Sequence, residues 1–356
     1  MSKKLDSVLA KIQKDYKIEL KDARETCKVP KIFLDSPSLN YVFGGGFPLG
    51  RIIAMHGPFS SGKSTLSTYI ASQIQQKYTE KPVVAYFDFE YAFDTDHAEE
   101  MGLDIDNNFV IIRPENGEDA FLMMKDLIET DEVGLIVLDS ATTISSKGQI
   151  EDPNKANFGA SAKVMANGLR YLNPYLSKHN CSMIIVGQER DNVGAMFGAD
   201  FKASFSGKSV DFYSSWMARI TRVEDIKEKD EVKGIVMKVR NEKNKLDNPK
   251  RVALLKLYFD RGIDSNDEYL DYLKALGIIE QKGAWFYQEE WGMKVAGKNG
   301  VAEFLHNNPE LYEKVKKQVN DMICNHTILD EVKEPEYIEE DGIVFNPETG
   351  EILEER

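Results

Sequence analysis

Eight consecutive residues, Gly57-Pro58-Phe59-Ser60-Ser61-Gly62-Lys63-Ser64, have the spacing of a phosphate-binding loop: glycine, four residues, then Gly-Lys-Ser. Such a loop wraps backbone N–H groups around phosphate oxygens at the positive end of the helix that follows. Gly57, Pro58, Ser60, Ser61 and Gly62 supply that backbone, and Thr65 continues it into the helix. Lys63 is the point charge for the outer phosphates, and the Ser64 hydroxyl is a ligand for Mg²⁺. The expected ligand is therefore a nucleotide with Mg²⁺.

A second half of the site must bring an acid to the same place. Leu135-Ile136-Val137-Leu138-Asp139 is an apolar run ending in a carboxylate, which sets Asp139 at a strand's C-terminal edge, where open parallel sheets bind ligands. Its expected role is to hold the Mg²⁺ shell through water. Hydrolysis also needs a group that orients or deprotonates water. The run Val83–Phe89 carries Asp88 and leads into Glu90, and only one of these acids can be well placed. Glu90 is the candidate. On the residues alone, a solvated loop acid remains the alternative.

The elements that must position these groups alternate. Apolar runs at Ile52–His56, Val83–Phe89, Phe109–Ile112, Leu135–Leu138 and Met183–Val186 predict strands. Helix-length stretches separate them at Ser64–Tyr78, Gly117–Thr130 and Ala160–His179. Alternation of this kind predicts a parallel sheet with helices on both faces. Trp216–Val223, Ile235–Arg240 and Val252–Phe259 follow without long helices and are expected to extend the sheet in antiparallel fashion. Leu5, Val8, Leu9, Ile12 and Tyr16 recur at helical spacing, and their stripe packs either on the chain's own core or on another copy. Residues 17–50 read as irregular.

Composition excludes several classes. The chain has 356 residues with 42% hydrophobic and 29% charged, normal for a globular protein with a sizeable core. Its net charge of −14 argues against holding nucleic acid by bulk positive charge, yet leaves room for a local basic track. Three scattered cysteines make neither a disulfide framework nor a tetrahedral zinc site. No apolar run approaches the ~18 residues of a membrane span. A reducing, cytoplasmic setting with no membrane contact is the expectation.

Several of these stretches together resemble bacterial RecA-type recombinases. The resemblance rests on Gly57–Ser64, on Phe87-Asp88-Phe89-Glu90-Tyr91-Ala92-Phe93-Asp94 and on Leu135–Ser140. Asp104–Asn108, Glu115–Glu118, Gly194–Gly198 and Lys282–Trp285 add to it, and it spans roughly residues 5–325. It implies an α/β fold: a RecA-like phosphate-loop ATPase core, its mostly parallel sheet extended by antiparallel strands, plus a small C-terminal α/β domain. It also implies an ATP-dependent recombinase that works as a homo-oligomeric helical filament on single-stranded DNA and pairs it with double-stranded DNA.

Carried over by position, the resemblance makes Glu90 the activator of water and Gln188 the sensor of the γ-phosphate. It makes Asp94 an adenine-side contact and Tyr258 an aromatic of the nucleotide pocket. Lys243 and Lys245 become the pair that reaches a neighbour's ATP. Two DNA loops are implied. Phe158 is the wedge of the first, about Gln149–Ala160. The second, about Glu189–Gly207, has Val193 as its wedge and carries Arg190 and Gly207, with Lys208 just beyond. Lys163 and Arg170, seven apart on one helix face, match phosphate contacts, which position DNA without reading sequence. Lys233–Lys256 holds eight bases and two acids, the densest basic stretch of an acidic chain. Two departures stand out: His97 replaces a family tyrosine, and Asp211 replaces a lysine at the subunit interface. The departures leave open a host or a phage origin.

The resulting division is a protomer-packing helix and linker over 1–30, the ATPase core with its DNA loops over 31–262, a small domain over 263–328 and an acidic tail over 329–356. Glu331–Arg356 has ten acids and two bases and is expected to be disordered, restraining DNA binding or docking a single-strand-binding or mediator protein. Two other functions share the same motifs: a hexameric DNA motor or helicase, and a DNA-binding filament switched by ATP without strand exchange.

Overall fold

The computed structural model describes residues 3–16, 28–152, 159–189, 203–204, 208–229, 231–324, 338–340, 343–345 and 352–355. The chain divides into two compact units, Met1–Pro30 and Lys31–Arg356. The first contains α1 (Lys3–Tyr16), with Asp6 near its N-terminus and Lys14 near its C-terminus, the arrangement that the helix dipole favours.

The second unit opens with β1 (Lys31–Ile32), α2 (Pro37–Phe43) and β2 (Phe47–Pro48), with β1 antiparallel to β2. Residues 37–43, read as irregular from sequence, are thus helical. Ser36 caps the helix by accepting from Leu39 N, and Pro37 stands at its first turn, where no N–H is needed. Then come β3 (Ile52–Gly57), α3 (Lys63–Lys77), β4 (Val83–Asp88), α4 (Thr95–Glu100), β5 (Phe109–Ile112), α5 (Gly117–Glu129) and β6 (Val133–Asp139). They are followed by α6 (Lys147–Glu151), α7 (Ala160–His179), β7 (Ser182–Glu189), β8 (Ala203–Ser204) and α8 (Ser209–Tyr213). β9 (Trp216–Glu228), β10 (Glu231–Asn244), β11 (Val252–Tyr258) and β12 (Gly262–Ile263) complete the sheet.

Among the described residues its order is β12-β11-β10-β9-β3-β7-β6-β4-β5, with β8 beside β7. β3, β7, β6, β4 and β5 run parallel; β9 to β12 pair antiparallel with one another, and β9 joins β3 in parallel. β3, β4, β6 and β7 are buried on both faces, so they read as continuous apolar runs, whereas β5 at the sheet edge is half exposed. Alternate residues feed two cores. Ile53, Met55, Val84 and Val137 pack with Leu66, Ile70 and Ile74 of α3. Ile52, Ala54, Phe87 and Leu138 pack with Met124 of α5 and Leu169, Leu172 and Leu176 of α7.

A third core lies in α9 (Ser265–Ala275), the hairpin strands β13 (Glu280–Lys282), β14 (Trp285–Gln288) and β15 (Met293–Ala296), α10 (Gly297–His306) and α11 (Pro309–Cys324). Leu270, Phe286, Val301 and Val319 meet there. Asn40 of α2 donates to Asn320 of α11 at 3.1 Å. The acidic tail is not without secondary structure: β16 (Ile338–Glu340), β17 (Ile343–Phe345) and β18 (Ile352–Glu355) form a three-stranded antiparallel sheet. The expectation of disorder weighed the charge and underweighed Ile343-Val344-Phe345 and Ile352-Leu353, residues suited to strands. Among the described residues no helix is long and apolar enough to cross a membrane.

Candidate nucleotide site and its links to the sheet

β3 ends at Gly57, where a Cβ would lie 2.0 Å from the carbonyl oxygen of Ile220, so only glycine fits. Gly62 has φ 84° and stands before α3; a Cβ there would strike Met237 and Ile235. Between them the loop turns back on itself. Lys63, buried at the first turn of α3, donates to Gly57 O at 3.0 Å, Ser61 Oγ at 3.2 Å and Pro58 O. Burial pushes its pKa below the ordinary lysine value, while Asp139, Glu189 and Glu90 pull it back up. A buried ammonium held by carbonyls and a hydroxyl is a site for anionic oxygens.

Asp139 ends β6 and is buried. Tyr86 donates its hydroxyl to Asp139 Oδ2 at 2.7 Å. Burial raises the carboxyl's pKa, and Asp88 adds to that; the hydroxyls of Tyr86 and Ser64 and the charge of Lys63 oppose it. A cavity of about 100 Å³ brings Ser64, Thr65, Glu90, Asp94 and Asp139 together at the C-terminal edge of the parallel strands. A larger groove of about 750 Å³ lies elsewhere, between α5 and α7, and carries Lys163. Volume does not pick out the nucleotide site; the loop and the carboxylates do.

Glu90 and Asp88 are now distinguishable. Asp88 is 2% exposed and spends its carboxylate on the loop that follows: Oδ1 accepts from Glu90 N and Ala92 N, and Oδ2 from Phe93 N and Arg113 Nε, all at 3.2–3.3 Å. That leaves it a scaffold for the turn. Glu90 lines the same cavity as Asp88 but takes its contact from another strand: Gln188 Nε2 donates to its Oε1 at 2.8 Å. Burial raises the Glu90 pKa, and the charge of Asp139 raises it further.

Gln188 is the penultimate residue of β7, and it pairs through its backbone with Ser204 of β8 while Glu189 pairs with Ala203. The two strand ends thus lie side by side. Asp94 caps α4, accepting from His97 N at 3.1 Å, and His97 Nδ1 lies 3.6 Å from Glu100 Oε2. Tyr258 ends β11 with Arg261 over its ring at 3.8 Å. Lys245 donates to Phe212 O at 2.8 Å and Lys243 to Asp211 O, so both lysines rest on α8. Lys163 and Arg170 share the exposed face of α7, and Lys208 stands just before α8. Phe158, Arg190, Val193 and Gly207 lie outside the described residues.

Tyr86 and Arg113, which anchor Asp139 and Asp88, were missed from sequence, as were His56, Glu189 and Arg219. The available signal was polar residues inside strand-like runs: a histidine ending Ile52–His56 and a glutamate directly after Gln188.

Residues 3–264 match the RecA N-terminal domain as a protein family. Protein RecA of Chlorobium chlorochromatii is 31% identical over 327 residues, 91% of this chain and 90% of that protein. Protein RecA of Malacoplasma penetrans is 32% identical over 323 residues, 90% and 96% of the two chains. Protein RecA of Pseudomonas fluorescens is 32% identical over 308 residues, 86% of each.

Proposed function

The chain belongs to the RecA family of bacterial-type recombinases, and on that premise we propose that it binds ATP with Mg²⁺, assembles as a helical filament on single-stranded DNA, and catalyses homologous pairing and strand exchange with duplex DNA. The observation that carries this reading is the 2.8 Å hydrogen bond from Gln188 to Glu90. It joins a carboxylate facing the phosphate loop to the strand that runs into the second DNA loop.

Bound ATP supplies the transferable γ-phosphoryl group, and Mg²⁺ spreads its charge. The residues present fit that ligand: two positions where only glycine fits, a buried ammonium, a hydroxyl and a buried carboxylate. Lys63 exchanges the loop carbonyls for phosphate oxygens. Ser64 and Asp139 hold the metal shell, Tyr86 fixing the Asp139 rotamer. Glu90 takes the proton of the attacking water, and its raised pKa makes it a better base than an exposed glutamate. Gln188 leaves Glu90 for a phosphate oxygen, and the β7–β8 pairing carries that movement toward the DNA loop. Asp94 and Tyr258 flank the base.

Lys243 and Lys245 leave α8 to act on the nucleotide of the next protomer, as point charges on the transferring group. On the DNA side, Lys163, Arg170, Arg190 and Lys208 meet phosphates, Phe158 and Val193 wedge between bases, and Gly207 adds a further DNA contact. α1 packs on the adjacent protomer, residues 263–328 form the small domain, and the acidic tail competes with DNA for Lys233–Lys256 or docks a mediator.

ATP turnover with and without single-stranded DNA, and negative-stain microscopy with a slowly hydrolysed ATP analogue, test the reading. Helical filaments and DNA-stimulated turnover are expected; closed rings would replace it with a hexameric motor. Filaments that pair no duplex would replace it with an ATP switch. Mixing Lys243→Ala protein with Glu90→Gln protein should restore some turnover at mixed interfaces, given co-assembly.

A further inference from the structure

Beside the phosphate loop the sheet buries a charge cluster that the nucleotide site does not use. His56 stands in β3 immediately before Gly57, its side chain 3% exposed. Its Nδ1 lies 2.9 Å from Oε1 of Glu189 in β7, and its Nε2 lies 2.8 Å from Oε2 of Glu242 in β10. Arg219 of β9 donates twice to Glu189, from Nε at 2.8 Å and Nη2 at 2.9 Å. A neutral imidazole has one donor nitrogen and one acceptor, and a carboxylate only accepts. Both histidine contacts are hydrogen bonds only when the ring carries both protons. Burial by itself would drive the second proton off; the hydrogen bonds and charges of the two glutamates outweigh it and raise the pKa above 6.5.

Each glutamate is tied to a working element. Glu189 follows Gln188 directly. Glu242 is the extra residue of a β-bulge: Asn241 pairs with Ala218 and Lys243 with Met217, so the ladder passes Glu242 over. A bulge re-aims the side chains around it. Here Glu242 meets His56, and the next residue, Lys243, reaches Asp211 O in α8.

We propose that His56, protonated and bridging Glu189 to Glu242, is a positioning residue for nucleotide turnover: it fixes the bulge that presents Lys243 and joins it to the strand end that carries Gln188. This rests on the role given to Lys243 above. Among the described residues, the ring faces Glu189 from β7, backed by Arg219 from β9, then Glu242 from β10 and, at longer range, Asp211 from α8. When the ring loses a proton, Glu189 keeps Arg219, whereas Glu242, with its side chain 40% exposed, turns to water. A histidine pKa raised by folding means that the bridge is complete below the ordinary value and is lost as pH rises through the raised one.

The test compares wild type with Glu242→Gln, whose amide N–H can donate to a neutral Nε2 and so keeps the bridge without the second proton. DNA-dependent turnover is measured from pH 6 to 9 at saturating ATP, with His56 followed by ring-proton NMR and assigned with His56→Gln. Wild-type kcat should fall severalfold along an alkaline limb that tracks the His56 titration, KM for ATP unmoved. Glu242→Gln should flatten that limb and lower the His56 midpoint. A flat wild-type profile, or a limb unchanged in Glu242→Gln, overturns the inference. Lys243→Ala separates the two readings: if it loses turnover while the wild-type profile is flat, the inference alone fails; if it keeps full turnover, the role of Lys243 fails and the inference with it.

Discussion

The nucleotide edge and the His56 cluster lie a residue apart along β3, yet they treat buried charge in opposite ways. At the edge the charges of Asp139, Glu90 and Lys63 are under-compensated: burial raises the two carboxyls and lowers the lysine. In the cluster Glu189 is buried as well, but His56 and Arg219 overcome that burial and hold it down at about 2. The contrast has a physical meaning. Under-compensated charge is free energy available to a ligand, and it collects where chemistry happens. Compensated charge fixes geometry, because each partner removed leaves the other buried and unpaired.

Removing a charge from the open edge should therefore destroy function and spare the fold. Lys63→Ala should abolish ATP turnover and DNA pairing together while thermal unfolding stays near wild type; strand exchange at the wild-type rate would break the assignment of the loop. Glu90→Gln comes next. It should retain nucleotide and single-stranded DNA while turnover drops by about 10²–10⁴-fold. The acid limb of the wild-type rate, which the raised Glu90 pKa sets above the ordinary 4.5, should vanish with it. An unchanged turnover number moves the base elsewhere, although Asp88 is no substitute with its oxygens committed to Glu90 N, Ala92 N, Phe93 N and Arg113.

Removing a charge from the closed cluster should instead cost the fold stability. Arg219→Ala leaves Glu189 with the histidine alone and should cost stability toward the low end of about 3–5 kcal/mol, read from the urea midpoint. Because the Glu189 pKa is depressed, its stabilising share is present above the ordinary carboxylate value and is lost only as pH falls toward about 2. Wild type and Arg219→Ala should thus converge in acid, and parallel curves down to pH 2 would argue against the pairing.

A smaller effect sharpens the comparison at a third place. Glu268 in α9 accepts from Ser36 Oγ at 2.6 Å, and burial raises its pKa to about 7. An acid raised by folding loses native stability as pH climbs from 4.5 through 7, since the unfolded chain ionises first. Glu268→Gln should remove that slope and raise stability at pH 8 by about 1–3 kcal/mol, measured by unfolding at pH 5 and pH 8. No gain at pH 8 would mean that the carboxylate is already accommodated as an anion.

How far could the sequence be read? The strands of the parallel half were legible because burial on both faces leaves continuous apolar runs, and β3, β4, β6 and β7 fall where those runs lie. The phosphate loop was legible because all its chemistry sits within eight residues. Pro37–Phe43 was not, because seven residues give too little period to register, and α10 escaped notice behind its Gly297 and Gly300. The tail's strands were hidden by its charge.

The sequence by itself determined the alternation of strands and long helices in the parallel half, the loop at Gly57–Ser64 and the acids at strand ends, because each is local and its period or spacing is its own signal. Only the tertiary structure decided which of the acids lining the cavity is spent on the scaffold. Gln188 meets Glu90 across 98 residues, and His56 meets Glu189 across 133 and Glu242 across 186. Those meetings follow from strand order and from one bulge in β10, and neither strand adjacency nor an extra residue in a ladder leaves a periodic trace along the chain.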